Sequence, residues 1–318
     1  MSKTDKKPEK NKFQMWVEFI PFWCLYHIIR MMNLRVAYFL SRQLFKVLYV
    51  IDRRHRVRSI QHLLHAGVAR TPHEARHMAH KAYLNFSMLL VEIFKFDQLV
   101  KPGMVGVVGD PETIRAACKP EGNNCNVIVV TAHYGNWELA GSCWAQQFRI
   151  PMVSVFRRFG NPLIGKYILG SRESKWHQSV PKEGGIKGML RALREGKTIA
   201  ILADQHAKTK EGVENVFFGQ PCRTHTSPAL LHLKTGVPIV PELTRRCGNG
   251  FNFEFVVGEM IRYTPTGDKE KDVQTVAQMY TSALEKLIRE EPEQWMWAHR
   301  RWLNINRKSS AASSSRAA

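Results

Sequence analysis

The chain is short of acid. Only 27 Asp and Glu stand against 47 Lys and Arg over 318 residues, which leaves a formal net charge of +20 and a pI near 9.9. An excess of that size implies an anionic partner: nucleic acid, an acidic protein or a lipid surface. Nucleic acid finds no support in the motifs, because there is no zinc-ligand spacing, no RNP-like aromatic motif and no basic heptad region. Cysteine is scattered too. Cys24, Cys118, Cys125, Cys143, Cys222 and Cys247 include no C-x-x-C pair, which argues against a disulfide framework or a zinc site and fits a reducing compartment. A G-x-S-x-G elbow is also missing, so an acyl-enzyme of the α/β-hydrolase type is not expected.

Long apolar runs are lacking as well. Phe19 to Ile29 carries no formal charge, but Pro21 and His27 interrupt it and Glu18 and Arg30 bound it, short of the ~20 residues a spanning helix needs. Arg35, Arg42 and Lys46 then recur among Leu34, Val36, Tyr38, Phe39, Leu40, Leu44, Phe45 and Leu48, and no small-residue cleavage site marks a signal peptide. Positive charge lies on both flanks, with Lys3, Lys6, Lys7, Lys10 and Lys12 before and Arg53, Arg54, Arg56 and Arg58 after, which keeps both in the cytoplasm by the positive-inside rule. Basic and aromatic residues so mixed suit helices lying in the headgroup region of an anionic leaflet. Residues 1–58 are therefore expected to be a basic tail and a membrane-associated helical segment; the competing readings are an amphipathic helix docked on the core and a single membrane span.

What is present begins with Thr71-Pro72-His73-Glu74, an N-cap, a first-turn proline and a Glu three residues after the cap. The helix it opens carries an apolar stripe of Met78, Ala79, Ala82, Phe86, Leu89, Leu90, Ile93 and Phe94, read as core. After Val105 to Val108 the pattern alternates. Strands are predicted at Val127 to Ala132, Pro151 to Phe156, Thr198 to Ala203, Val237 to Pro241 and Phe251 to Val257, and helices at Asn136 to Phe148, Asn161 to Arg172, Gly185 to Arg194, Ser227 to Thr235 and Asp272 to Arg289. Alternation of this kind predicts an α/β fold with a mostly parallel central sheet flanked by helices. It would occupy residues 59–308, with 309–318 a low-complexity tail.

The chemistry is expected at Val127-Ile-Val-Val-Thr-Ala-His133-Tyr-Gly-Asn-Trp-Glu138. A buried strand ends here, Gly135 permits a tight turn, and Asn136 can cap a helix with Glu138 in its first turn. His133 then stands at the carboxyl edge of the sheet, where ligands bind in open α/β folds. Residues five apart do not share a helix face, so His133 can reach Glu138 only from the loop. In that geometry the carboxylate holds one ring nitrogen as N–H and leaves the other to accept a proton.

His133-Tyr-Gly-Asn-Trp-Glu138 resembles the H-x-x-x-x-[DE] motif of glycerolipid acyltransferases, in the form used by the late acyltransferases of lipid A biosynthesis. Further blocks agree in order: Val155-Phe-Arg157-Arg-Phe-Gly-Asn161-Pro162; Ala203-Asp204-Gln205 followed by Phe217-Phe218-Gly219; Thr235-Gly-Val-Pro-Ile-Val-Pro241; and Glu293-Gln-Trp-Met-Trp297-Ala-His299-Arg300-Arg301-Trp302. The resemblance covers roughly Ala75 to Trp302. It implies an O-acyltransferase acting on a lipid A precursor or related glycolipid at the cytoplasmic face of a bacterial inner membrane, with acyl carrier protein as an acidic co-substrate and with no cofactor or metal. It makes His133 the general base and Glu138 its orienting partner. Arg157 would meet a phosphate, while Asn161 and Asp204 would hold the site or the sugar. Arg158 departs from the family's usual proline, so either arginine could make the phosphate contact. Trp295, Trp297 and Trp302 read as core. The rivals are the same chemistry on another acceptor, such as a phosphatidylinositol mannoside, an aminolipid or a lysophospholipid, and a non-catalytic basic protein that binds membranes or nucleic acid.

Overall fold

A computed structural model describes residues 11–101, 103–118, 126–156, 159–170, 173–181 and 185–303. Three helices come first: α1 (Lys12–Met31), α2 (Leu34–Ile51) and α3 (Arg53–His65). They are followed by the long α4 (Pro72–Phe94) and one turn, α5 (Phe96–Leu99). The alternating part is β1 (Gly106–Gly109), α6 (Pro111–Cys118), β2 (Ile128–Thr131), α7 (Trp137–Phe148), β3 (Met152–Phe156), α8 (Pro162–Gly170), β4 (His177–Pro181), α9 (Gly185–Arg194) and β5 (Thr198–Leu202). A hairpin of β6 (Gly212–Phe217) and β7 (Gln220–His225) leads to α10 (Ser227–Thr235), β8 (Ile239–Arg246), β9 (Phe253–Val257) and α11 (Lys269–Ile288).

Seven strands form one sheet in the order β1-β9-β8-β2-β5-β3-β4, and every neighbouring pair is parallel except β8 with β9. The predicted fold class is therefore borne out. β2 lies centrally, and all four of its residues are buried because helices cover both faces of the sheet. One face packs against α4, α9, α10 and α11 through Ile128, Val130, Ile199, Tyr280 and Leu284; the other packs under α7 through Val129, Trp144 and Phe255.

The predicted strands are all found, with shifted ends. β8 runs on to Arg246 rather than stopping at Pro241, since its last five residues pair antiparallel with β9. β4 was not anticipated: its sequence, His-Gln-Ser-Val-Pro, has little of the apolar character on which strand prediction relies. The hairpin was also missed, because its two-residue turn is Phe218-Gly219, with φ +52° and +69°, and a bulky aromatic is an unusual occupant of the left-handed region. Phe218 is held there by burial among Phe217, Trp295 and Trp297.

The N-terminal helices are tied to the α/β body. Tyr38 donates to the buried Glu92 of α4 (2.7 Å), Ser41 donates to the Ser87 carbonyl, and Arg30 pairs with Asp97. The expected boundary at residue 58 falls inside α3. Their outer face is apolar, with Phe13, Val17, Ile20, Met31, Phe39 and Val50 all exposed. Among the described residues no helix is long and apolar enough to cross a membrane.

Candidate functional site

The site follows from strand register. Thr131 of β2 pairs with Leu202 of β5 in neighbouring parallel strands, so the residues two positions further on, His133 and Asp204, leave the sheet side by side. Asp204 turns back on the histidine. One carboxylate oxygen accepts from the His133 backbone N–H at 2.9 Å, and the other lies 2.8 Å from His133 Nδ1. The first also accepts from the Trp295 indole N–H at 2.8 Å. With a carboxylate on Nδ1, that nitrogen carries the proton and Nε2 is the acceptor.

The loop is fixed on two sides. Tyr134 bridges to Trp295, Gly135 N–H donates to the Gln294 carbonyl, and Asn136 N–H donates to the Thr244 carbonyl of β8. Gly135 has φ +53°, and a Cβ there would lie 2.1 Å from the Thr244 oxygen, so the position admits only glycine. Asn136 caps α7 by accepting from Leu139 N–H and donates its amide to Glu92 at 2.6 Å. Glu92 in turn is held by both terminal nitrogens of Arg246, at 2.6 and 2.7 Å. Beneath the loop Glu242 is buried with the Thr244 hydroxyl on one oxygen at 2.8 Å, and burial pushes its carboxyl up to about 7.

Electrostatics favour a protonatable His133. Burial alone would lower its pKa; the charge and hydrogen bond of Asp204, with a smaller contribution from the charge of Glu138, outweigh that and leave it raised. Burial likewise opposes ionisation of Asp204, but His133 holds its carboxyl well below the usual range. The orienting contact expected of Glu138 is thus made at Nδ1 by Asp204, while Glu138 stands in the first turn of α7 and acts on the ring through its charge.

Of the other expected residues, Asn161 is buried and uses its side chain elsewhere. Its oxygen accepts from Leu163 N–H at the start of α8, and its amide donates to the Met15 carbonyl and to Glu18 of α1. Arg157 and Arg158 lie outside the described residues. Two further residues meet His133. Gln205 Nε2 is 3.1 Å from His133 Nε2 and 3.2 Å from His299 Nε2, and the two imidazole rings are 4.6 Å apart. Burial and then the nearby His133 charge lower the His299 pKa to about 4, so it stays neutral and can accept from the amide. Both residues stand inside quoted motif blocks, yet nothing in their spacing says that segments some 94 residues apart meet. The segment around His299 is pinned by Arg301, buried to 1 %, which donates to the Gln205 carbonyl and to the Thr224 hydroxyl and stacks on Phe217.

Comparison with known proteins follows the same residues. The chain is 28% identical over 179 residues to the lipid A biosynthesis lauroyltransferase of Escherichia coli, covering 55% of this chain and 56% of the relative. It is 26% identical over 180 residues to the phosphatidylinositol mannoside acyltransferase of Mycobacterium tuberculosis (55% and 54%), and 24% identical over 181 residues to the palmitoleoyltransferase of E. coli (56% of each). The aligned region thus spans about half the length of these relatives. A family model described as bacterial lipid A biosynthesis acyltransferase matches residues 3–304, nearly the whole chain including the His133 loop, the Asp204 turn and the His299 segment, and the chain belongs to that family.

Proposed function

We propose that the protein transfers a fatty acyl chain from a thioester donor to a hydroxyl of a lipid A precursor or related glycolipid, with His133 as general base. The observation that carries this reading is the carboxylate of Asp204 on His133 Nδ1, which leaves Nε2 as the proton acceptor on a side chain that is 14% exposed. The acceptor hydroxyl takes the place of the Gln205 amide at Nε2 and gives up its proton as its oxygen attacks the thioester carbonyl. The tetrahedral oxyanion then collapses, the C–S bond breaks, and the imidazolium returns the proton to the departing thiolate. Asp204 stabilises the imidazolium in between, and Glu138 adds negative charge.

Acyl carrier protein is the proposed donor, because an acidic partner suits a chain of net charge +20. No cofactor or metal enters these steps. The exposed apolar face of α1 and α2, interleaved with Arg35 and Lys46, supports attachment to anionic lipid at the cytoplasmic face of the inner membrane. Names among the relatives favour a glycolipid acceptor in two forms, a lipid A precursor and a phosphatidylinositol mannoside. The test is transfer of a radiolabelled acyl group by purified protein, comparing acyl carrier protein with coenzyme A thioesters and the two acceptors. No turnover with any thioester would leave the non-catalytic reading.

A further inference from the structure

α3 carries Arg54 and Arg58 four residues apart, on one helix face, where like charges repel. The helix packs on the segment that bears His299: Arg58 donates to the Ala298 carbonyl at 3.0 Å, and His62 Nδ1 lies 2.9 Å from the Trp297 carbonyl. Arg300, on that same segment, is exposed and close enough that its charge and that of Arg54 both act on Arg58. Arg58 and Arg300 thereby stand on the segment of His299, whose ring touches His133, and the charge of Arg54 acts on Arg58. Among the described residues none of the three is ion-paired. Asp52, the acid nearest to Arg58, is occupied by His55, whose Nδ1 stands 2.7 and 2.9 Å from its two oxygens.

A partly buried guanidinium on which two other guanidinium charges act, and whose neighbouring carboxylate Asp52 is held by His55, favours an anion beside it. We propose that Arg54, Arg58 and Arg300 form a phosphate-binding subsite of the acyl-transfer site. Guanidinium forks match a phosphate in geometry and charge, and a phosphate seated here would register the substrate against His133 through the Ala298-His299 backbone that Arg58 already holds. This rests on the acyl-transfer reading above and adds the chemical class of group that one substrate must present there. A phosphate on the glycolipid acceptor and the phosphodiester in the pantetheine arm of the donor share this chemistry.

Calorimetric titration of the full-length protein with pyrophosphate tests the site without turnover. Binding should weaken about tenfold or more in the Arg58→Gln/Arg300→Gln double variant, the size expected for loss of one hydrogen bond to a charged group. Arg54→Gln, on an exposed position, should weaken it as well and guards against a folding defect in the pair. Kinetics then separate the sources. If the acceptor supplies the phosphate, its removal raises KM sharply in the wild type and little in the double variant, with kcat nearly kept. If the donor supplies it, the same interaction appears between acyl-phosphopantetheine and acyl-pantetheine. Undiminished pyrophosphate binding in all variants, or a dephosphorylation effect that is the same in wild type and variants for both substrates, overturns the subsite. A wild type that binds pyrophosphate but turns over no thioester fails the acyl-transfer reading alone.

Discussion

Glu92 and Arg246 form a doubly bonded ion pair whose side chains are 0% and 2% exposed, directly behind the residue that caps the helix after His133. Removing one partner leaves a buried charge without its counter-ion. Glu92→Gln or Arg246→Met should each cost about 3–5 kcal/mol, read as a lowered Tm, and the double substitution with apolar residues of similar volume should cost less than either.

His133→Ala should lower turnover of the folded protein by roughly 10²- to 10⁴-fold, the usual share of a general base, and should lower the Tm as well, because it leaves the buried Asp204 carboxylate without its partner. Asp204→Asn should be severe as well. The two residues act as one unit, so the double variant should be barely worse than His133→Ala. A well-folded His133→Ala protein with normal turnover would end the mechanism.

pH separates the partners of the ring. The raised His133 pKa places the acid limb of the rate profile above 6.5, with activity rising as the base is deprotonated. Asp204→Asn should move that limb to lower pH, and Glu138→Gln should move it the same way by less. The pair also links to folding. The His133 contribution to stability is complete below its unfolded pKa and fades as pH rises through the raised folded value, while that of Asp204 is complete above its unfolded pKa and fades as pH falls toward its depressed one.

Gln205 donates to the neutral form of His133 Nε2 and so opposes its protonation. Gln205→Ala should therefore raise the imidazole pKa, seen by NMR titration of the ring, in the direction opposite to Asp204→Asn. His299→Ala, which frees the amide from its second acceptor, should change the pKa less and the acceptor KM more.

Glu242 behaves in the reverse sense from an ordinary surface carboxylate. With a folded pKa near 7 against 4.5 unfolded, it holds a proton that the unfolded chain has lost, so stability falls as pH rises between those values. Glu242→Gln should flatten that slope in denaturant melts between about pH 4 and about 8, an interval chosen to span both values.

The sequence made the sheet and the His133 turn legible because both are local. A run of β-branched residues ending at Thr-Ala-His-Tyr-Gly-Asn specifies a strand, a turn and a helix cap within a dozen positions. Asp204 was marked by its motif, but its place on Nδ1 depends on β5 lying beside β2, a pairing set by the whole topology. Gln205 and His299 were hidden for the same reason. Asn161 was marked by its motif alone: a polar residue before Pro162 can cap a helix, and here its oxygen does so while its amide ties α8 to α1. The depth to which α2 is bound was not readable either, since Tyr38 is one aromatic among many until Glu92 is seen beneath it.

The His133 loop is clamped by backbone bonds to Gln294 and Met296, and Asp204 by the indole of Trp295. Proteins emerge from the ribosome N-terminus first and fold as units, so a nascent chain can complete the strands bearing His133 and Asp204 while the clamp is still unmade. Until that segment docks, the imidazole can meet Asp204 and Gln205 but lacks the backbone clamp on its loop, the indole on Asp204 and its neighbour His299. In the proposed reaction competence is thus coupled to docking of residues 294–299, and a chain in which they are undocked has no assembled base with which to squander acyl thioesters on water.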